Sequence, residues 1–123
     1  MNIALWIVQI LLALAFLMAG AMKAMKPRLE MAERMPYVED FSDGQIKLIG
    51  ALEVLAAIGL ILPAVTGILP VLTPLAAVGL VLTMIGAALT HQRRGETSAI
   101  GMNIILLVLA AFVAYGRFVL VPL

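Results

Sequence analysis

The chain has 123 residues, of which 64% are hydrophobic and 12% are charged. Soluble globular proteins have about 45–50% apolar and about 25% charged residues, so these proportions exclude an ordinary soluble domain. They also exclude intrinsic disorder, which requires few apolar residues. The net charge of +1 argues against nucleic-acid binding, and the lack of cysteine excludes disulfides, thiolate metal sites and thiol catalysis. The composition indicates a small integral membrane protein.

Four apolar stretches are long enough to cross a bilayer, which takes about 20 helical residues. They run from about residue 3 to 22, 46 to 62, 68 to 90 and 100 to 121. Each stretch should form a helix, because backbone polar groups in hydrocarbon must be satisfied within the segment. The predicted fold is all-α, an integral membrane four-helix bundle in which residues 1–123 form a single transmembrane domain.

The connections between the four spans differ in length. The longest, Lys23 to Lys47, contains apolar residues at helical spacing after Pro27, which predicts a short amphipathic helix on the membrane surface from Pro27 to Met35. A very short link near residues 63–67 makes the second and third spans an antiparallel hairpin. Pro70 and Pro74 either kink the third span or mark a helix that begins near Pro74.

Two glycines in the third span predict a packing contact. Gly79 and Gly86 are seven residues apart and therefore lie on one helix face. Small residues let a neighbouring backbone approach closely in membranes. We expect packing at this face rather than a gating hinge.

The basic residues are distributed unevenly between the two ends of the spans. On the side of the membrane where the fourth span ends, Arg117 is the one basic residue. The basic residues on the opposite side are Lys23, Lys26, Arg28, Arg34, Lys47, Arg93 and Arg94. Since Lys and Arg accumulate on the cytoplasmic side, this asymmetry predicts a multi-pass membrane protein with both termini outside the cytoplasm.

Each span contributes one polar side chain to the predicted cytoplasmic half. These candidates are Lys23, Glu53, His91 and Asn103. Glu53 lies about 10 Å below the surface at a helical rise of about 1.5 Å per residue. In one interpretation Glu53, Lys23 and His91 are catalytic and manage protons, while Asn103 orients a ligand. In the other, Glu53 and Lys23 form a structural ion pair, His91 is a surface residue, and Asn103 makes an interhelical hydrogen bond.

A second polar group is predicted near the outer ends of the spans. Gln9 and Arg117 are candidate ligand-binding residues there, and Arg117 suits an anionic headgroup or a carboxylate. The alternative is an Arg117 side chain that extends to the interface, where Trp6 and Tyr115 suit an aromatic belt.

Few cofactor classes are compatible with the sequence. One histidine and no cysteine give no metal-ligand cluster of recognised spacing. No glycine-rich phosphate-binding loop follows a strand, so no nucleotide site is visible. The buried polar residues instead suit the polar head of a lipophilic ligand.

Short polar and small-residue motifs recur along the chain. They are Gly20-Ala21-Met22-Lys23, Met35-Pro36, Ile49-Gly50-Ala51-Leu52-Glu53, Leu62-Pro63, Gly86-Ala87 with His91, and Tyr115-Gly116-Arg117. Their order and spacing resemble those of the DoxX-like family of small four-helix bacterial membrane proteins. The resemblance covers essentially the whole chain and implies a four-helix bundle in the bacterial inner membrane.

The resemblance also implies alternative functions. Members resemble a membrane subunit of a thiosulfate:quinone oxidoreductase, and others are associated with redox-stress complexes. The expected function is therefore binding of a lipophilic small molecule such as a quinone in a redox-linked role, with a membrane redox partner and a possible homo-oligomer. The alternative is a non-catalytic scaffold or assembly factor, for which Pro27 to Met35 is the expected partner contact. A transporter is disfavoured because no inverted repeat is visible.

Overall fold

The computed structural model describes residues 1–25 and 41–123, which form long helices and no strand. The helices are α1 (Asn2–Met25), α2 (Asp43–Thr66), α3 (Leu72–Arg94) and α4 (Thr97–Tyr115), and α4 continues into a π-helical turn, Gly116–Leu120. All four are long and apolar enough to cross a membrane. The prediction of four apolar helices is confirmed. The predicted surface helix, Pro27 to Met35, lies outside the described residues.

The helices bury a narrow apolar core and expose a wide apolar surface. α1 packs mainly against α2, and α3 packs mainly against α4. The core includes Leu12, Phe16, Leu60, Leu80 and Val113. Only 22–28% of the most apolar window of each helix is buried, and the remainder carries exposed leucine, isoleucine and valine side chains. A surface of this composition is suited to contact with lipid chains.

Two glycines allow α1 and α2 to cross at very short range. A Cβ atom on Gly20 would lie 2.7 Å from the carbonyl oxygen of Gly50, and one on Gly50 would lie 2.5 Å from the carbonyl oxygen of Gly20. No larger residue fits this crossing without moving a helix. Gly79 and Gly86 have no neighbour within 4 Å of such a Cβ, so the packing contact predicted for that face is wrong for the described residues.

The α2–α3 hairpin differs in detail from the predicted link. α2 passes through Pro63 and ends at Thr66, where Gly67 adopts a left-handed conformation with φ of 72°. Proline has no N–H to donate to the carbonyl four residues earlier. That carbonyl, on Gly59, instead accepts a hydrogen bond from the Thr73 hydroxyl at 2.8 Å. Thr73 is fully buried, so the interhelical bond satisfies a carbonyl that would otherwise be unpaired in a membrane.

The third helix begins beyond the first of its two prolines. Pro70 belongs to the link, and Pro74 lies in the first turn of α3, which starts at Leu72. Proline is tolerated in a first turn because the N–H groups there have no helical acceptor. The interpretation of a helix that begins near Pro74 is therefore correct, and no kink is needed.

Candidate ligand-binding cavity

A buried ion pair joins α1 to α2 beside the glycine crossing. Lys23 lies in the last turn of α1 and donates a hydrogen bond of 2.6 Å from Nζ to Oε1 of Glu53 in α2. The two side chains are 8% and 2% exposed. The close approach at Gly20 and Gly50 lies one helical turn or less from both residues, so it sets the distance between the two charges. Each charge compensates the other in a site that water does not solvate well.

The ion pair borders a cavity of about 570 Å³ between the four helices. Most of its lining is apolar, including Phe16, Ile49 and Leu106. Its polar lining includes all four residues predicted for this end of the bundle, namely Lys23, Glu53, His91 and Asn103. Small-molecule sites have volumes of roughly 300–1,000 Å³ and combine an apolar lining with a few convergent polar groups. The cavity has both properties.

His91 is held at the edge of the cavity by a residue that the sequence-based reasoning missed. Gly95 ends α3 in a left-handed conformation, with φ of 73°, and the chain turns back so that the Glu96 N–H donates to the His91 carbonyl at 2.9 Å. This turn brings Oε1 of Glu96 to 2.8 Å from Nδ1 of His91. His91 is only 8% exposed, so its assignment to the surface is wrong. The sequence signal for this contact is the pair Gly95-Glu96, which follows His91 at the end of a helix.

The groups around Glu96 determine which partner of the His91–Glu96 hydrogen bond carries the proton. Oε2 of Glu96 lies 3.3 Å from Nε of Arg94. The hydrogen bond from His91 lowers the pKa of Glu96 below its ordinary value of 4.5, and Arg94 acts in the same direction against partial burial. The carboxylate is therefore ionised at neutral pH and can only accept. His91 must then carry its proton on Nδ1.

Asn103 presents an unused acceptor next to the cavity. Its Nδ2 contacts the sulfur of Met84 on α3 at 3.5 Å, which is a weak interhelical bond. Its Oδ1 is buried and has no hydrogen-bond partner within residues 1–25 and 41–123. Buried amide oxygens are normally paired, and an unpaired one costs about 1–3 kcal/mol. A ligand hydroxyl in the cavity can supply the missing donor.

Gln9 and Arg117 lie together, but away from this cavity. Nε of Arg117 donates to Oε1 of Gln9 at 2.7 Å, and Nε2 of Gln9 donates to the Leu60 carbonyl at 2.7 Å. Arg117 is 2% exposed. The interpretation in which the Arg117 side chain extends outward is therefore wrong, because the side chain packs inside the bundle. A pair of hydrogen bonds links α4, α1 and α2 through these two side chains.

Comparison of the sequence with known protein families supports the resemblance inferred from the motifs. The profile of the DoxX-like family matches residues 7–113, and the protein belongs to this family. The matched segment contains Lys23, Glu53, His91 and Asn103, and it ends before Arg117. No curated protein and no solved structure matches the chain.

Proposed function

We propose that this DoxX-like membrane protein binds the polar head of a lipophilic molecule, such as a quinone, in the cavity beside Glu53. The observation that carries the proposal is the convergence of four buried polar side chains on one apolar cavity of about 570 Å³. Apolar walls suit a ring and tail that partition into the bilayer. Polar groups at one side suit the oxygen atoms of a head group.

The polar residues divide into donors and acceptors that match the two forms of a quinone. The ammonium of Lys23 can donate to a carbonyl oxygen of the oxidised form. The unpartnered Oδ1 of Asn103 can accept from a hydroxyl of the reduced form. With Nδ1 bonded to Glu96, the nitrogen of His91 that acts as proton acceptor is Nε2.

These groups also suit the proton chemistry of a redox-linked role. Reduction of a quinone takes two electrons and two protons and converts its two carbonyl oxygens into hydroxyls. In this proposal the Lys23–Glu53 pair and His91 hold and transfer the protons. The electrons come from a membrane redox partner, the role that the family resemblance implies.

The test begins with what the protein carries after purification in a mild detergent. Solvent extraction and mass spectrometry of the wild type should recover a quinone or another lipophilic small molecule at close to one per chain. Ala87 lines the cavity, so Ala87→Phe should fill it and reduce this recovery. Ala51→Phe is the matched control, because Ala51 is exposed and does not line the cavity. Recovery of phospholipid alone, or equal recovery from both variants, would contradict the proposal.

A second measurement separates binding from proton transfer. In cells whose quinone reduction depends on this protein, Glu53→Gln should lower that activity while the ligand is still recovered. Full activity of Glu53→Gln would remove Glu53 from the proton chemistry.

The alternative is a scaffold or assembly factor in which Lys23 and Glu53 only fix helix register. The position of the ion pair beside the Gly20–Gly50 crossing favours this reading. It predicts a stoichiometric partner protein in the purified sample and no small molecule. It also predicts that Glu53→Gln lowers the recovery of that partner protein.

For the orientation, we propose that the end carrying Lys23, Lys47, Arg93 and Arg94 faces the cytoplasm of a bacterial cell, with both termini outside. The chain has no cysteine, so single cysteines can be introduced and labelled in whole cells with a membrane-impermeant maleimide. Ile68→Cys in the α2–α3 link should react, and Ser98→Cys at the opposite end should not. The reverse pattern would invert the proposed orientation.

A further inference from the structure

Arg117 is a buried cation whose hydrogen bonds go only to neutral groups. Besides Gln9, it donates from Nη1 to Oδ1 of Asn2 at 2.8 Å and to the Val121 carbonyl at 3.2 Å. The guanidinium carbon lies 5.6 Å from the centre of the Trp6 ring. Nη2 is buried and has no partner in the described part of the chain. The guanidinium therefore has one donor group left over, and no acidic side chain of residues 1–25 or 41–123 is paired with it.

The acidic side chains of the described segments are too distant to neutralise this charge. They are Asp43, Glu53 and Glu96. Glu53 is paired with Lys23 and lies seven residues, or about 10 Å of helical rise, from the Leu60 carbonyl that Gln9 contacts. Glu96 precedes Arg117 by 21 residues, or about 30 Å along α4. A buried arginine without a counter-charge is strongly unfavourable in a membrane protein.

We propose that the anionic phosphate of a membrane lipid headgroup binds Arg117 and supplies this negative charge. The guanidinium is at the level of Trp6, which it contacts, and two residues from the exposed Tyr115, and such aromatic residues are enriched where lipid headgroups lie. Nη1 donates to the side chain of Asn2, which is exposed in the first turn of α1 at the end of the bundle. A phosphate that replaces this amide reaches Nη1 and Nη2 together, the paired geometry in which arginine binds phosphate.

The site lies at the other end of the bundle from the cavity and does not depend on the quinone proposal. Its test uses Asn2→Asp, which places a carboxylate at the atom that now contacts Nη1. Thermal unfolding is followed in a neutral maltoside detergent during titration with phosphatidylglycerol, phosphatidylcholine or inorganic phosphate. The control is Gln92→Glu, an exposed position that changes the net charge equally at the opposite end.

Phosphatidylglycerol should raise the melting temperature of the wild type and of Gln92→Glu at the same half-saturating concentration. Without lipid, Asn2→Asp should have a higher melting temperature than the wild type. Its half-saturating concentration of phosphatidylglycerol should be at least about tenfold greater, because the new carboxylate competes with the lipid phosphate for the charge-assisted hydrogen bonds of Arg117. Arg117→Lys keeps the positive charge but lacks the paired donors of a guanidinium. Its half-saturating concentration should lie between those of the wild type and Asn2→Asp. Phosphatidylcholine should have a much smaller effect.

Three results would overturn the proposal. The first is a wild type that phosphatidylglycerol does not stabilise, and the second is an Asn2→Asp variant that titrates like the wild type. The third is equal stabilisation by inorganic phosphate at the same concentration, which would assign the site to a soluble anion instead of a lipid.

Discussion

Replacing Gly50 with alanine is expected to separate α1 from α2. The new Cβ would lie 2.5 Å from the Gly20 carbonyl oxygen and 2.6 Å from the Ala24 nitrogen, whereas non-bonded heavy atoms settle near about 3.5 Å. Both contacts are backbone atoms that no rotamer change can move, so the helices must part by about 1 Å. Overpacking of this kind costs about 1–3 kcal/mol. The same movement lengthens the Lys23–Glu53 hydrogen bond, so we expect the upper half of that range.

The assay is equilibrium unfolding in mixed micelles of maltoside detergent and dodecyl sulfate, followed by far-ultraviolet circular dichroism. The matched control is Gly79→Ala, because a Cβ there has no neighbour within 4 Å. Alanine favours a helix over glycine by up to about 1 kcal/mol, so this variant should be as stable as the wild type or slightly more so. If Gly50→Ala and Gly79→Ala unfold at the same dodecyl sulfate fraction, the close crossing of α1 and α2 is incorrect.

Glu53→Gln and Lys23→Met should each lower the free energy of unfolding by up to about 3–5 kcal/mol, because each leaves one buried charge without its partner. The double variant should regain most of this loss. Additive losses in the same assay would show that the two residues do not interact. Gln9→Leu should cost about 1–3 kcal/mol because it removes a buried acceptor from Arg117, whereas Gln9→Glu should be better tolerated; equal stability of wild type and Gln9→Leu would refute the contact. His91 is the only histidine, so nitrogen-15 NMR should show a single imidazole that carries a proton on Nδ1. Glu96→Ala should lose this preference and Glu96→Gln should largely keep it. A wild-type imidazole without a proton on Nδ1 would contradict the Glu96 hydrogen bond. The pKa of Glu96 is lower in the folded protein than its ordinary value of 4.5. The stability that Glu96 contributes to the fold should therefore be complete above pH 4.5 and be lost as the pH falls through its pKa in the folded protein. Glu96→Ala should remove that part of the acid dependence of the melting temperature.

The helices and four of the polar residues that line the cavity could be predicted from the sequence. Apolar length alone identifies a membrane-spanning helix, because hydrocarbon permits no alternative for the backbone. The same constraint directs rare polar side chains toward the interior of the bundle. Lys23, Glu53, His91 and Asn103 could therefore be assigned to one region from their depth in the four spans.

The glycine contacts could not be predicted, because they depend on which helix faces which. Gly79 and Gly86 have the spacing of a packing face, but that face has no neighbour in the described structure. Gly20 and Gly50 lie on different helices, and their crossing has no signature within either segment. The contact between Glu96 and His91 was missed for a related reason, since it depends on the left-handed conformation of Gly95.

The two ends of the bundle satisfy their buried charges in different ways. At one end Lys23 is matched by Glu53, and each belongs to a helix that the glycine crossing fixes in place. At the other end Arg117 is surrounded by amide and carbonyl oxygens, which solvate a cation without neutralising it. Because the acidic side chains of the described residues all lie toward the Glu53 end, no change of rotamer can correct this difference. In the proposal above, a lipid phosphate at the level of Trp6 supplies the missing charge. It follows that Asn2→Asp, a change of one atom type, should reduce the dependence of this protein on anionic lipid, while substitutions at Glu53 should leave that dependence unaltered.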